Sequence, residues 1–399
     1  MFDHLPSTPV FGAVPWDISL ERRTTALFSR PQRVAWLYNT PDTSTFRYRV
    51  FNMVEALQAD TRCRVGATWF SGDELDSIIP FVSELNVIVV ARFCYGAALQ
   101  RIISRARRFG VKVIFESDDL VFDIDYVRIV LESLGQDAEE SRVWESWFAY
   151  IGRLNASLKL CDGGITTNSY LSSRMAHAMN GKSVAVIPNF MNRQQQEFSE
   201  ALLTAKRESG WRRRGNVTIG YFSGSPTHNR DFAVAAPAIS RILQKHSDVQ
   251  LRVVGFLDET GPVGAFRDRV EILPLMNYVS LQRAIAEVEI NIAPLQDNVF
   301  TNCKSELKFF EAAAVGTWTV ASPTSTFRKS IADKVTGRLA RAHEWDVALE
   351  EAVALARDSH AYADHAEKAA NHVYETYGWN KQTSIILDAL DPYLEDKAR

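Results

Sequence analysis

The chain has 399 residues, of which 46% are hydrophobic and 23% are charged. This length exceeds what a single hydrophobic core usually supports, so two domains of about 150 to 200 residues are expected. The formal net charge is -3, which leaves no overall positive field for sequence-independent binding of nucleic acid. No apolar run reaches the roughly 18 residues of a membrane-spanning helix. Four widely spaced cysteines without zinc-ligand spacing, and a first segment unlike a secretory signal, predict a reduced, cytoplasmic protein.

Apolar runs of strand length alternate with amphipathic runs of helix length, which is typical of α/β folds with parallel sheets. Residues 1–30 are predicted to be an N-terminal extension, and residues 31–190 a first domain. Its strands are predicted at 33–38, 64–70, 87–91, 111–115, 164–167 and 184–187. Its helices are predicted near 49–59, 73–85, 97–109 and 139–160.

A polar and basic stretch interrupts this alternation, and residues 191–215 are predicted to be a linker. Residues 216–375 form the predicted second domain, with strands at 217–222, 251–255, 270–273, 290–294 and 317–321. After Gly337 the pattern is mainly helical and no further strong strand is predicted. Residues 376–399 are expected to form a C-terminal helix that packs back toward the first domain. Two such halves in tandem indicate a ligand cleft at the carboxyl ends of their strands.

Residues 290–322 carry the most informative pattern, INIAPLQDNVFTNCKSELKFFEAAAVGTWTVAS. A buried strand and a polar loop are predicted, followed by a helix that begins near Ser305. A helix N-terminus at the carboxyl edge of a sheet binds phosphate well. Lys304 and Lys308 would supply cations for a diphosphate, and Glu311 a carboxylate for ribose hydroxyls. The charge spacing by itself fits a solvated helix face with ion pairs equally well.

Residues 311–316 read EAAAVG and resemble the donor-nucleotide motif E-x7-E-A-x-A-x-G of GT-B glycosyltransferases. The resemblance is to retaining glycosyltransferase family 4 (glycosyl transferases group 1), which includes sucrose and glycogen synthases. Cys303 occupies the position of the first glutamate of that motif. The run KSELKFFE resembles a subgroup of bacterial surface-polysaccharide transferases. The resemblance implies a GT-B fold, with two Rossmann-like, doubly wound domains facing a central cleft and a helical C-terminal segment.

The resemblance also implies which residues bind the donor. Residues 219–232, IGYFSGSPTHNRDF, are similar to the opening of the family's second domain, where a strand runs into a loop of small residues. The donor-binding residues implied in the two motifs are Gly224, Ser225, Thr227, Arg230, Lys304, Ser305, Glu306, Lys308 and Glu311.

The acceptor side is implied to lie in the first domain. Asp118 and Asp119 directly follow a predicted strand, where relatives have an Asp-Asp or His-Asp step near the acceptor and the reacting carbon. Arg47 and Arg49 stand at a predicted helix start and either face the cleft or form a surface pair that caps the helix. Asn189 follows a proline and forms either a hinge into the cleft or a plain turn. The residues implied to be catalytic are Asp118, Asp119, Lys304 and Glu311.

The pair Asp123 and Asp125 matches the D-x-D metal motif of the other glycosyltransferase architecture, GT-A. That alternative would leave the motif around Glu311 unexplained. The resemblance to GT-B enzymes implies that lysines and helix-end N–H groups stabilise the diphosphate. Neither a bound metal nor another cofactor is therefore expected.

The function implied is metal-independent, retaining transfer of a hexose or deoxyhexose from a nucleoside-diphosphate sugar. The expected acceptor is a glycan or lipid-linked saccharide in bacterial polysaccharide biosynthesis of the O-antigen or capsule type. Two alternatives stay open: a nucleotide-sugar 2-epimerase with the GT-B fold, and a non-catalytic GT-B scaffold, which the missing first glutamate favours. Basic stretches at 101–112 and 206–214 are either solvated surfaces or peripheral contacts with the inner membrane or with other polysaccharide-assembly enzymes.

Overall fold

The structure is a computed structural model that describes residues 1–2, 4–10, 13–42, 44–224, 229–257 and 261–394. Its first sheet has the strand order β2-β1-β3-β4-β5-β6, with every neighbouring pair parallel. These strands form the N-terminal domain and are β1 (Gln32–Leu37), β2 (Val65–Phe70), β3 (Val87–Ala91), β4 (Lys112–Ser117), β5 (Gly163–Thr166) and β6 (Val184–Val186).

The second sheet, also parallel, has the order β12-β11-β10-β7-β8-β9 and forms the C-terminal domain. Its strands are β7 (Val217–Ser223), β8 (Val249–Gly255), β9 (Val270–Leu273), β10 (Ile290–Ala293), β11 (Trp318–Ala321) and β12 (Arg338–Leu339). The central strands β3 and β10, and also the edge strand β2, are buried along their whole length, because helices cover both faces of each sheet. The α/β class predicted from the sequence is confirmed.

Helices connect successive strands in both domains. Those up to β6 are α1 (Leu20–Phe28), α2 (Asn52–Ala59), α3 (Leu75–Ile78), α4 (Ala97–Arg108), α5 (Val127–Ser133), α6 (Ser141–Leu160) and α7 (Ser169–Ala178). Those after β6 are α8 (Arg193–Glu208), α9 (Asn229–Lys245), α10 (Tyr278–Glu287), α11 (Val299–Asn302), α12 (Leu307–Ala314), α13 (Ser325–Ser330), α14 (Trp345–Arg357), α15 (Ser359–Tyr377) and α16 (Gln382–Leu390). A π-helical turn, Arg47–Phe51, leads into α2.

Two segments differ from the sequence prediction. Residues 191–215, predicted to be a linker, contain the 16-residue helix α8. Its buried residues Phe198, Leu202 and Leu203 recur at helical spacing, but a run of glutamines and charges conceals that periodicity. After Gly337, where no further strong strand is predicted, the structure adds the two-residue strand β12, which is too short to give a periodic signal.

The segments outside the sheets pack against them. Helix α1, within the predicted N-terminal extension, lies so close to β2 that a Cβ on Gly66 would stand 2.1 Å from the carbonyl oxygen of Leu27. Helix α16 returns to the N-terminal domain, where the Thr383 hydroxyl donates a hydrogen bond to the Ala56 carbonyl at 3.1 Å. None of the helices within the described residues is long and apolar enough to cross a membrane.

Candidate active site

Each sheet contains one point where neighbouring strands are not consecutive and the chain leaves toward opposite sides. In the N-terminal domain this point lies between β1 and β3, and in the C-terminal domain between β7 and β10. Such switch points open crevices at the carboxyl ends of the strands, and ligands of doubly wound proteins bind there. Functional side chains are therefore expected at these two crevices.

The loop after β10 places the predicted donor residues. It contains a short helix, α11, whose start is fixed by a capping box between Asn298 and Thr301. The next helix, α12, begins at Leu307, so the predicted start near Ser305 is wrong by two residues. The cause is that α11 occupies part of the expected loop, which delays the second helix. Lys308 therefore lies in the first turn of α12.

Lys308 presents its ammonium group to the carboxyl end of β7. Its Nζ donates a hydrogen bond to the Phe222 carbonyl and lies 5.0 Å from the centre of the Tyr221 ring. Burial lowers the pKa of Lys308 to about 8, although the nearby carboxylates of Asp231 and Glu311 act in the opposite direction. Burial removes solvation from the ammonium group. An anionic ligand that approaches it would therefore stabilise its charged form by supplying a counter-charge.

The predicted catalytic residues of the two domains meet at the domain interface. Lys304 Nζ lies 3.0 Å from Asp119 Oδ1, and the same ammonium lies 4.4 Å from the centre of the Phe300 ring. Asp118, one residue earlier, accepts hydrogen bonds from Arg92 and Thr45, both at 3.0 Å. The sequence predicts neither Arg92 nor Thr45 as a site residue. Arg92 carries one signal, its position directly after β3 at the switch point.

Glu311 also reaches across the interface. Its Oε1 accepts hydrogen bonds from the Tyr48 hydroxyl at 2.5 Å and from Gln195 Nε2 at 3.2 Å, and lies 3.7 Å from Arg47 Nη2. Its backbone carbonyl accepts a hydrogen bond from Gln282 Nε2 at 2.6 Å. The structure thus joins a predicted donor residue, Glu311, to a predicted acceptor-side residue, Arg47. Gln195 lies in the glutamine run of the predicted linker and carries no sequence signal of this role.

Arg49 lies in the interior and is not a surface capping residue. Its Nε is 2.5 Å from Glu116 Oε1, and its Nη1 donates a hydrogen bond to Asn189 Oδ1 at 3.0 Å. Asn189 Nδ2 in turn donates to the Ser305 hydroxyl at 3.1 Å, which links the two domains. Asn189 thus bonds to residues of both domains, and its predicted role on the acceptor side stays a prediction.

Three buried polar atoms in this part of the interface have no hydrogen-bond partner among the described residues: Arg49 Nη2, Glu116 Oε2 and Glu306 Oε2. Burial raises the pKa of Glu116 to about 7, against the lowering effect of Arg49. Burial likewise raises the pKa of Glu306 to about 7. Unsatisfied buried groups are costly, so these atoms favour protonation of the two carboxylates or a bound polar group.

Other predicted residues lie elsewhere. The Arg230 side chain is exposed and donates a hydrogen bond to the Glu132 carbonyl of the N-terminal domain. Gly224 is exposed immediately after β7. The predictions for Ser225 and Thr227 fall outside the described residues.

The alternative metal motif does not form a ligand cluster. Asp123 is buried and its carboxylate accepts a hydrogen bond from the Asp125 backbone N–H, which caps a helical turn. Among the described residues, no three histidine, cysteine, aspartate or glutamate side chains are close enough together to hold a metal ion.

Cys303 is buried at the place where related motifs carry a glutamate. Its backbone carbonyl accepts a hydrogen bond from Asn168 Nδ2 at 2.8 Å. Burial is the largest cause that raises the pKa of the thiol, to about 12. At neutral pH the thiol is therefore uncharged, and it cannot replace a carboxylate.

A cavity of about 650 Å³ opens at the switch point of the N-terminal domain. It is lined by the loops that follow β1 and β3 and by helix α6. The aromatic and charged side chains that line this cavity include Tyr38, Asp42, Arg92, Tyr150 and Arg153. Arg92 connects the cavity to Asp118, so the cavity borders the interface where Asp119 meets Lys304.

The family model described as Glycosyl transferases group 1 matches residues 217–358. A curated relative, phosphatidyl-myo-inositol mannosyltransferase of Mycobacterium tuberculosis, is 24% identical over 228 residues, which cover 55% of this chain and 57% of the relative. The chain thus matches a little over half the length of that relative.

Several solved structures share the fold. HepE of Anabaena, solved in complex with UDP and glucose, has a TM-score of 0.58 at 12% identity and covers 90% of this chain and 99% of its own. Sucrose-phosphate synthase from Thermosynechococcus elongatus has a TM-score of 0.56 at 15% identity, and the match covers 91% of this chain and 98% of the synthase chain. A glycosyltransferase from Rickettsia africae has a TM-score of 0.59 at 11% identity, with 93% and 100% covered. The chain therefore has the GT-B fold, and its residues 217–358 match the model of the glycosyl transferases group 1 family.

Proposed function

We propose that this protein is a glycosyltransferase that uses a nucleoside-diphosphate sugar as its donor. The observation that carries the proposal is the meeting of Lys304 and Glu311 with charged and polar side chains of the other domain, next to Lys308 at the carboxyl end of β7. Lysines beside the carboxyl end of β7 suit a diphosphate, and Glu311 suits ribose hydroxyls. HepE, with the same fold, binds UDP and glucose, which supports the same ligand class here.

Transfer breaks the bond between the anomeric carbon and the diphosphate oxygen and forms a bond to an acceptor oxygen. Negative charge grows on the leaving diphosphate while positive charge grows at the sugar. Lys308, partly desolvated, and Lys304 would stabilise the leaving group without a metal ion. The Lys304 ion pair with Asp119 would be exchanged for one with the diphosphate as the donor binds.

The proposed acceptor site is the cavity at the switch point of the N-terminal domain. Tyr38 and Tyr150 offer aromatic faces for a sugar ring, and Asp118, held by Arg92 and Thr45, can orient an acceptor hydroxyl. The resemblance to retaining enzymes supports transfer with retention, in which the departing phosphate oxygen takes the acceptor proton. Asp118 and Asp119 would then position the acceptor and would not act as an inverting base.

The proposed acceptor is a glycan or lipid-linked saccharide of bacterial polysaccharide biosynthesis, and the proposed donor sugar is a hexose or deoxyhexose. Two features support this class. The run from Lys304 to Glu311 resembles surface-polysaccharide transferases, and the mannosyltransferase relative acts, by its name, on phosphatidyl-myo-inositol, an acceptor with a lipid anchor. The cavity is wide enough for a saccharide unit.

The test is an activity screen of the purified full chain with UDP-, GDP-, dTDP- and CDP-sugars, in EDTA and in magnesium. Lipid-extracted saccharides serve as acceptors, and released nucleotide and the anomeric proton of the product are measured. The proposal expects acceptor-dependent release of one nucleotide in EDTA, with the α-configured sugar retained. Formation of an epimer without an acceptor, or release only in magnesium, would contradict it.

A second candidate, a non-catalytic scaffold that binds a nucleotide sugar, is favoured by Cys303. A neutral, buried thiol cannot accept hydrogen bonds from donor-sugar hydroxyls as a glutamate does. Tight nucleotide binding with no transfer to any acceptor would support this candidate.

A further inference from the structure

The basic run KRESGWRRR, residues 206–214, divides into two parts in the structure. Lys206 is fully buried, with its Nζ 4.1 Å from the centre of the Phe2 ring. Arg207 forms an ion pair with Glu367 at 2.5 Å. Lys206 and Arg207 are therefore satisfied within the fold. Arg214 Nη2 lies 3.4 Å from His4 Nε2, and Arg212 Nε donates a hydrogen bond to the Ser209 carbonyl at 2.8 Å.

The three arginines line one cavity of about 430 Å³ on the C-terminal domain. The other residues described as lining it are His4, Gly215 and Ser359, so no acidic side chain among the described residues borders the cavity. Arg212 and Arg213 form no ion pair with any part of the chain that the structure describes. The guanidinium groups of Arg212 and Arg213 therefore provide pairs of donors in the geometry that phosphate oxygens accept, and Arg214 adds positive charge to the same cavity.

The turn that carries the arginines is anchored, although the arginines themselves are solvent-accessible. Trp211 adopts a left-handed backbone conformation, with φ of 58°, and its ring is buried. The Trp211 ring packs edge-on against Phe2 and Tyr362, with ring centres 6.1 and 5.9 Å apart. A backbone bridge also pairs Phe2 with Arg213. The backbone that carries the arginines is therefore ordered before a ligand binds, so less conformational entropy is lost on binding.

This cavity is separate from the interdomain cleft. It lies just before Val217, where β7 begins, whereas Lys308 contacts the carboxyl end of β7 at Phe222. Strands rise about 3.3 Å per residue, so the two ends of β7 are roughly 20 Å apart. A nucleotide sugar in the cleft cannot reach the arginines.

We propose that Arg212, Arg213 and Arg214 form a second binding site, for a phosphate-bearing ligand. The site takes either a free phosphate compound or the phosphate headgroup of an anionic lipid, since both present the same oxygens to the guanidinium groups. With the lipid as ligand, the C-terminal domain would rest on the membrane by the end opposite the cleft.

Two probes distinguish these sources. Thermal unfolding of the full chain is followed against inorganic phosphate, with sodium chloride at equal ionic strength as the reference. Sedimentation is measured with vesicles of phosphatidylglycerol and phosphatidylcholine, with pure phosphatidylcholine vesicles as the reference. The variant is the double substitution Arg212→Gln, Arg213→Gln. Its matched control, Arg107→Gln, Arg108→Gln, removes another exposed, consecutive arginine pair, at the end of α4.

The proposal expects saturable binding of at least one probe, weakened about ten-fold or more in the Arg212, Arg213 variant and unchanged in the control. A response to phosphate alone would identify the ligand as a free phosphate compound. A response to the anionic vesicles alone would identify it as the lipid headgroup. No response to either probe would overturn the proposal. Equal losses in both double variants would also overturn it, because they would reflect general surface charge.

Discussion

Lys304 of the C-terminal domain and Asp119 of the N-terminal domain form an ion pair, with 3.0 Å between Nζ and Oδ1. Both side chains are partly exposed, so screening by solvent keeps the pair's contribution to stability small. The pair matters more for ligand exchange, because a diphosphate must compete with Asp119 for the same ammonium group. The contact between the two domains and donor binding are thereby linked through one cation.

We predict opposite effects of Asp119→Asn on binding and on turnover. Removal of the competing carboxylate should tighten nucleoside-diphosphate binding several-fold, since Lys304 no longer has to give up a partner. Transfer to the acceptor should fall, because Asp119 helps to orient the acceptor. Calorimetric binding and steady-state kinetics measure the two effects. Weaker nucleotide binding in this variant would contradict the role given to the ion pair.

Nucleotide binding should weaken as the pH rises through about 8. Burial lowers the pKa of Lys308 to about 8, so the free protein loses this cation above that pH. A bound diphosphate stabilises the ammonium form, and binding near pH 8.5 should therefore take up a proton. Calorimetry in buffers of different ionisation enthalpy measures this uptake. In Lys308→Arg the guanidinium stays charged, so the pH dependence of nucleotide binding should lose its inflection near pH 8. An inflection that persists in this variant would show that another group titrates there.

Glu306→Gln should stabilise the protein at alkaline pH. The pKa of Glu306 is raised to about 7 from 4.5, so the folded state binds more protons between these values and stability falls as the pH rises through that window. At pH 8 the buried charge is present, and its removal should increase the unfolding free energy by about 1 to 3 kcal/mol, with less gain at pH 5. Denaturant unfolding checks this, with the exposed Glu145→Gln as control. An equal gain at both pH values would contradict the assignment.

Cys303→Ala should retain nucleotide binding within about two-fold, because burial keeps the thiol neutral. The lost packing should cost about 1 kcal/mol of stability. Binding and unfolding measurements on the same preparation separate the two effects. A large loss of affinity without a loss of stability would show that the thiol itself contacts the donor.

The fold could be predicted from the sequence because each buried parallel strand gives a continuous apolar run. The strands β3 and β9 fall at the predicted residues, and most others within two. Helix α8 could not be predicted, because its buried face includes Gln195, a polar residue that is buried only through its contacts with Arg47 and Glu311. Such contacts depend on how the domains pack and leave no local pattern.

The candidate site could be predicted only in part. The resemblance to the family motif implies Lys304, Lys308 and Glu311, but the side chains that they or their neighbours contact, Tyr48, Arg92 and Gln195, come from distant segments. The interior position of Arg49 is also unexpected, because a charged residue is buried only when a partner such as Glu116 is present. The sequence shows both residues, but it does not show that they lie close together in the fold.

The most direct test of the central claim is nucleotide binding to the full chain, measured by thermal shift with UDP, GDP, dTDP and CDP, with and without magnesium. The account predicts stabilisation by one nucleotide that does not need magnesium. Lys304→Ala and Glu311→Ala should each weaken binding about ten-fold or more, a loss of roughly 1.5 to 3 kcal/mol. No response to any nucleotide would contradict the donor site, and so would stabilisation that requires magnesium and disappears in Asp123→Ala.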